Sequence, residues 1–359
     1  MATVGIEAEP IPQEFSSSRV KRSLIVLVLV IVAVAALLVL VPGLASLRER
    51  FEGAKPAWLV LAAVLQVLSC ASYVVAFRTV FCQQMSWRTS TEIGLSELAA
   101  NSVLSVGGAG GLALGAWILR RGGVSPGHIG RRTVAFFLLT SLVNVSCLVV
   151  GGLGLATGLL SGASALLLGL VPTLAGLLAI GLALAAGPVT GAIAKRSRWP
   201  RLATTLRTLS EGVAEALNLL RHRQPLLAIG TGGYMLLDVA VLATGFAAFG
   251  SEVPAFGVLL VAYIVGQLGG LIPVPGGIGG AEGGLIAALV IYGVDATDAA
   301  VAVIAYRGVL LAVPAVLGFP ALALLRSRLR AENHDIASCA PGEEVEVLGR
   351  GPVRKPQPA

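Results

Sequence analysis

The sequence predicts an all-α fold: a polytopic membrane protein with about six full transmembrane helices and two oppositely directed re-entrant helical hairpins, arranged as an inverted repeat. Three observations lead to this prediction. Of the 359 residues, 56% are hydrophobic and 13% are charged, which is more apolar than the ~45–50% usual for soluble proteins. Long apolar runs alternate with short basic segments. Two further apolar regions are each interrupted by clustered glycines.

Charge and cysteine usage exclude several classes of protein. The formal net charge of +7 is spread over many short segments, as topology determinants are, so no nucleic-acid partner is predicted. Cys70, Cys82, Cys147 and Cys339 stand singly, without the spacing of a metal site or a disulfide framework. No metal, cofactor or disulfide framework is therefore predicted.

The first half begins with a polar segment, residues 1–22, which is expected to be a disordered cytoplasmic tail. The apolar run 24–41 is long enough, at about 27 Å, to cross the hydrocarbon core, and a cleaved signal peptide is the alternative. Further full spans are predicted at 57–80, 133–155 and 164–187.

Between the second and third spans lie two short apolar pieces, 92–106 and 109–119, separated by glycines. Neither piece crosses a bilayer comfortably by itself, so we predict a re-entrant hairpin. The longest polar connection, 193–224, carries apolar residues at helical spacing among its arginines. It is either an amphipathic helix on the inner surface that attracts anionic lipid headgroups or an ordinary positive loop.

The second half contains, in order, a span at 226–249, short pieces at 256–272 and 278–292, a final span at 298–325, and a predicted disordered cytoplasmic tail at 329–359. Pro273 and Pro275 remove backbone donors between the two short pieces, so the apolar run must break there and restart near Ile278. A broken helix in a membrane requires protein or a water-filled cavity to cover its free backbone groups.

A repeat relates the two halves of the transmembrane domain 23–328, at about 57–187 and 226–325. Gly-Gly-x-Gly-Gly occurs at 107–111 and again 169 residues later at 276–280. An apolar helix follows each copy, and then Gly-Val with a capping residue, Ser125 or Asp295. The alternative is coincidence in a chain with 45 glycines.

Counting each hairpin as entering and leaving on one side places every strongly basic segment on the same side of the membrane. The positive-inside rule then predicts a cell-membrane protein with both termini in the cytoplasm. The repeats acquire opposite orientation, and their broken helices meet near the midplane, as in many alternating-access transporters.

Two ionisable residues stand out in the second half. Glu282 lies in the restarted helix and Arg307 in the final span, and intramembrane charges are functional candidates. In the first half the corresponding positions hold Ala113 and Phe137. We therefore expect the ionisable chemistry to lie in the second half.

The second-half motif resembles a known family, the flippase-like integral-membrane domain of lysylphosphatidylglycerol synthases and their stand-alone relatives. The resemblance rests on the run Pro273 to Gly279, on Glu282 with Gly283, on Gly293-Val294 and on Tyr306-Arg307. It implies translocation of a lipid by a stand-alone member, since no synthase domain is expected after the last span.

The resemblance and the chemistry together suggest a substrate site. Arg307 is expected to meet a lipid phosphate, with Glu282 balancing it or responding to a cationic headgroup or a proton; a structural ion pair is the alternative. Tyr306 either contacts the headgroup or only packs between helices, and Gln267 either contacts the substrate or makes a helix–helix hydrogen bond. Asp238 either joins a proton path or pairs with a polar neighbour. The amides at the restarted helix N-terminus favour a phosphate; these residues are Gly276, Gly277, Ile278 and Gly279.

The function predicted from these features is movement of a phospholipid or an isoprenoid-linked lipid headgroup between leaflets, without enzymatic activity. The alternatives are a membrane enzyme, or a scaffold for a separate lipid-modifying or lipid-linked glycosyl or aminoacyl transferase. Chemical turnover of the lipid by the purified protein would favour the enzyme, and translocation that requires a second protein would favour the scaffold. The sequence leaves the oligomeric state open.

Overall fold

The computed structural model describes residues 53–103, 109–160, 166–222, 224–271, 279–337 and 339. In that part of the chain every regular element is helical, and no strand occurs. The α-helices are α1 (Pro56–Phe81), α2 (Trp87–Val103), α3 (Ala109–Arg121), α4 (Pro126–Ala156), α5 (Leu166–Arg196), α6 (Pro200–Arg221), α7 (Pro225–Ala248), α8 (Phe256–Gln267), α9 (Gly280–Ile291) and α10 (Ala296–Ala337).

Five of these helices, α1, α4, α5, α7 and α10, are long and apolar enough to cross a membrane. They confirm five of the six predicted full spans and make the chain a multi-pass membrane protein. The remaining predicted span, 24–41, and the tail 1–22 lie outside the described residues. Proline at the first turn of α1, α4, α6 and α7 explains where these helices begin, because proline lacks the backbone donor that a helix cannot use there.

The last helix differs from the prediction at its end. A tail was expected to begin at residue 329, but α10 continues to Ala337. Ile336 is fully buried and contacts Gly122, where a Cβ would collide with it. Burial of this side chain explains why the polar sequence around it stays helical.

The short helices form two hairpins. In the second hairpin, a Cβ at Gly266 would lie 2.5 Å from the Cα of Leu285, and one at Gly269 would lie 2.8 Å from the Cα of Gly284. These contacts make α8 and α9 antiparallel, and only glycine permits such close backbones. In the first hairpin, the Gly111 amide donates to Asn101 Oδ1 at 2.7 Å, and Gly115 further along α3 lies against Glu97 further back in α2. The two contacts make α2 and α3 antiparallel as well.

The two hairpins enter from opposite faces of the helix bundle. The first begins and ends on the face that we call the basic face, which carries loops 82–86 and 122–125, helix α6 and the end of α10. Arg132 on this face donates to the carbonyl of Val80 at 2.7 Å. The second hairpin begins at the other end of α4, where Gly257 lies beside Leu155 and Leu160.

The matched Gly-Val segments adopt the same local structure. Gly123 and Gly293 both have positive φ, at 95° and 89°. The next amide, of Val124 or Val294, donates five residues back at 3.1 or 3.0 Å, as in a helix C-terminal Schellman motif. Ser125 and Asp295 then cap the following helices through their side-chain oxygens.

The connection predicted as either an amphipathic helix or a loop is the helix α6. Its apolar face buries Ala203, Val213, Ala216 and Leu219 against α4 and α5. Arg131 of α4 pairs with Glu211 at 3.3 Å, and Arg132 pairs with Glu215 at 3.2 Å. Helix α6 is thus fastened to the bundle on the basic face.

A disulfide joins Cys82, after α1, to Cys339, beyond α10. No disulfide framework was predicted, and this pair corrects that interpretation. The two residues are 257 apart in sequence, so their spacing does not reveal the contact. Cys70 and Cys147 are free.

Candidate functional site

The structure brings Glu282 and Arg307 together. Arg307 Nε donates to Glu282 Oε1 at 2.5 Å, while the other carboxylate oxygen, Oε2, accepts from the Gly279 amide at 2.8 Å. The side chains keep 17% and 26% of their surface exposed. The two charges are therefore paired, and both side chains stay partly exposed.

Glu282 also changes what the restarted helix can do. Helix α9 begins at Gly280 after Gly279, whose φ is +106°. The Glu282 carboxylate turns back onto the first amide of its own helix, as an N-terminal carboxylate does. Any phosphate at this end must share the helix terminus with that carboxylate. Gly276, Gly277 and Ile278 lie outside the described residues.

Tyr306 and Gln267, the other predicted site residues near this pair, lie in different surroundings. Tyr306 is 2% exposed, and its ring meets that of Tyr263 edge-on, with the ring centroids 6.2 Å apart. Its side chain therefore packs in the interior of the bundle. Gln267 is exposed at the end of α8, on the hairpin arm that precedes the break.

Asp238 is the centre of a buried polar cluster. Its Oδ1 accepts from the Ser69 hydroxyl at 2.7 Å, and its Oδ2 accepts from the Tyr263 hydroxyl at 3.3 Å. Asp238 is 3% exposed and Ser69 is fully buried. Of the two roles that the sequence left open, the pairing with polar neighbours is the one observed. The cluster also connects α1, α7 and α8, and Tyr263 extends it to Tyr306.

Glu97 in α2 is a buried carboxylate that sequence reasoning missed. It is 1% exposed, and its Oε2 accepts from the Tyr73 hydroxyl at 2.8 Å. Gly115 of α3 packs directly on it, since a Cβ there would collide with the carboxylate. Ionisable groups thus occupy both hairpins, and the expectation that they lie only in the second half is wrong.

The repeat offset does not point to Glu97. Glu282 lies on the second arm of its hairpin, where its counterpart in the first half is Ala113. In the first hairpin the carboxylate is on the first arm instead, in the apolar piece 92–106. An intramembrane carboxylate in that piece was the available signal, because such groups are rarely without a role.

Removing the Tyr73 hydroxyl tests how far this buried pair supports the fold. Tyr73→Phe is expected to lower the free energy of unfolding by about 1–3 kcal/mol, because a buried carboxylate loses a donor. Tyr292→Phe is the matched control, since the Tyr292 hydroxyl donates only to the carbonyl of Leu168, at 2.8 Å. Thermal unfolding in detergent gives the comparison, and equal shifts for the two variants would contradict the argument.

Comparison with known proteins identifies a family for this chain. A family model described as "Lysylphosphatidylglycerol synthase TM region" matches residues 25–318. No curated protein matches the sequence. The matched range contains α1, α4, α5 and α7, both hairpins, every site residue discussed above, and α10 as far as residue 318. The chain therefore belongs to the lysylphosphatidylglycerol synthase transmembrane-region family.

Proposed function

We propose that this protein moves a phospholipid or a lipid-linked headgroup between the leaflets of the cell membrane. The observation that carries the proposal is the partly exposed Glu282–Arg307 ion pair, at 2.5 Å, beside a broken helix. Membership of the family supports a role in membrane lipid handling. The proposal adds to this role a substrate path, at the second hairpin.

The chemistry of the pair suits a transient phosphate. An unpaired charge at the bilayer centre costs at least ~2.5–3.5 kcal/mol, so Arg307 needs an anion at all times. Glu282 provides one in the absence of lipid. An arriving phosphate can replace it, because guanidinium groups bind phosphate and carboxylate with the same fork geometry. Glu282 then stays with the Gly279 amide.

The packing of the helices supports an inverted repeat. Helices α1 and α7, which would be equivalent in this repeat, run antiparallel, since the backbone amide of Lys55 donates to the carbonyl of Ala248 at 2.8 Å while Gly230 lies against Ala76. Ser69 and Asp238, which meet in the buried cluster, are 169 residues apart, which is the repeat offset. Their contact marks the proposed two-fold axis.

Each hairpin packs against the other proposed half. Helix α2 of the first hairpin packs on α10, and α8 of the second hairpin packs on α4. Each hairpin thus contacts the long helix of the other half. Relative movement of the halves would therefore move both hairpins, which suits alternating exposure of a site between them. The basic face is proposed to be cytoplasmic.

Translocation of fluorescent phospholipids in proteoliposomes tests this function. Lipid translocation is expected to be faster in vesicles that contain the parent protein than in protein-free vesicles of the same composition, with no chemical change in the lipid. Activity that needs an added lipid-modifying enzyme would favour a scaffold. Chemical turnover of the lipid would favour a membrane enzyme. Either result would overturn the proposal.

A further inference from the structure

A cleft of about 970 Å³ opens on the basic face, away from the second hairpin. Its walls come from three helices: Ala116 and Trp117 of α3, Ile129 and Val134 of α4, and Leu209 of α6. The volume lies at the upper end of the ~300–1,000 Å³ range of ligand sites. The cleft is therefore large enough for part of an amphiphile.

The charged side chains in the described lining of the cleft are both arginines. Arg120 of α3 and Arg201 of α6 both line it, and its described lining includes no aspartate or glutamate. Thr204, Thr205 and Thr208 add hydroxyl groups along α6. Apolar walls below a cationic rim match a molecule with an anionic head and an apolar tail.

The residues around the cleft have the composition of a membrane interface. Trp199, the N-cap residue of α6, and Leu202 in its first turn are 75% and 49% exposed, beside the arginines of the helix. The Arg121 guanidinium lies over the Trp117 ring, 5.4 Å from its centroid. Exposed tryptophan and leucine next to arginine are typical of a helix at the membrane interface.

We propose that this cleft is a binding site for an anionic phospholipid of the adjacent leaflet. The phosphate lies between Arg120 and Arg201, and an acyl chain follows the wall formed by Trp117, Ile129 and Val134. The site is separate from Glu282 and Arg307, and it does not depend on the translocation proposed above. Binding here is measured whether or not the protein moves lipid.

Photolabelling of the full-length protein tests the proposal. The probe is phosphatidylglycerol with a diazirine in one acyl chain, incorporated in phosphatidylcholine nanodiscs, and labelled peptides are identified by mass spectrometry. Label is expected on α3, α4 and α6 around the cleft. The Arg120→Ala/Arg201→Ala variant should reduce it by at least about tenfold. The control Arg196→Ala/Arg198→Ala removes two exposed cations outside the lining and should leave the label unchanged.

A second variant keeps the test informative if the arginine variant does not fold. Thr133→Trp fills the cleft without changing its charge, and it should also remove the label. Equal labelling by a diazirine phosphatidylcholine, equal loss in the Arg196/Arg198 control, or unchanged labelling of Thr133→Trp would each overturn the proposal. Loss of label in the parent protein on adding inorganic phosphate would identify a free anion as the ligand instead, and would overturn it too.

Discussion

Replacing Arg307 by alanine is expected to slow phospholipid translocation by at least about tenfold. The physical reason is the loss of a charged donor that the lipid phosphate would use, since hydrogen bonds to charged groups contribute about 1.5–3 kcal/mol and 1.4 kcal/mol corresponds to a factor of ten. The translocation rate of Arg307→Lys should lie between those of the parent protein and Arg307→Ala, because lysine keeps the charge but loses the planar fork of the guanidinium group. The rates are measured in proteoliposomes with equal amounts of folded protein.

Variants of Glu282 distinguish a substrate-binding role of the ion pair from a purely structural one. Glu282→Gln/Arg307→Gln removes both charges together, so no charge is left unpaired in the membrane. A purely structural ion pair predicts that this double variant folds and remains active. The proposed phosphate site predicts that it folds and is inactive, as is also expected for Glu282→Gln alone, which leaves Arg307 without its resting partner.

Arg131→Ala is the matched control for these variants. Arg131 also belongs to an ion pair, with Glu211 at 3.3 Å, but both side chains are more exposed, at 38% and 53%. The pair lies on the basic face, outside both hairpins. Translocation by this variant should equal that of the parent protein. An equal loss in Arg131→Ala and Arg307→Ala would show that the assay reports general charge, and would remove the support for a lipid path at the second hairpin.

Gly318→Ala is expected to destabilise the bundle by about 1–3 kcal/mol, the usual cost of overpacking. A Cβ at this position of α10 would collide with the carbonyl oxygen of Leu95 and lie 2.6 Å from the Cβ of Ala99. Both neighbours belong to the helix α2, and a backbone carbonyl cannot turn aside. The contact between α10 and the first hairpin must therefore loosen, which thermal unfolding in detergent would detect.

The control is a second glycine of the same helix. A Cβ at Gly308 has no neighbour within 4 Å, so Gly308→Ala is expected to be neutral or to stabilise the helix by up to about 1 kcal/mol. Both variants replace a glycine of α10 by alanine, and they differ in how closely other helices pack on the substituted position. If both lowered the melting temperature equally, the close packing of α10 on α2 would not explain the effect.

The identity of the site was only partly accessible from sequence. Glu282 and Arg307 could be named because charges are rare in apolar runs, and that rarity is visible without any structure. For Tyr306 the sequence left both contact with a headgroup and packing between helices open. Successive residues of a helix point about 100° apart, since a turn takes 3.6 residues, and Tyr306 packs against Tyr263 in the interior.

The sequence alone determined the membrane class, five described spans, both hairpins and the paired Gly-Val turns. These features depend on local properties, namely the length of an apolar run, the missing donor of proline and the positive φ that glycine permits. Only the tertiary structure decided that Ser69 meets Asp238, that Glu97 is buried below Gly115, and that Cys82 joins Cys339. Each of these contacts joins separate helices or a loop to a distant segment, and local pattern carries no information about which distant residues will pack together.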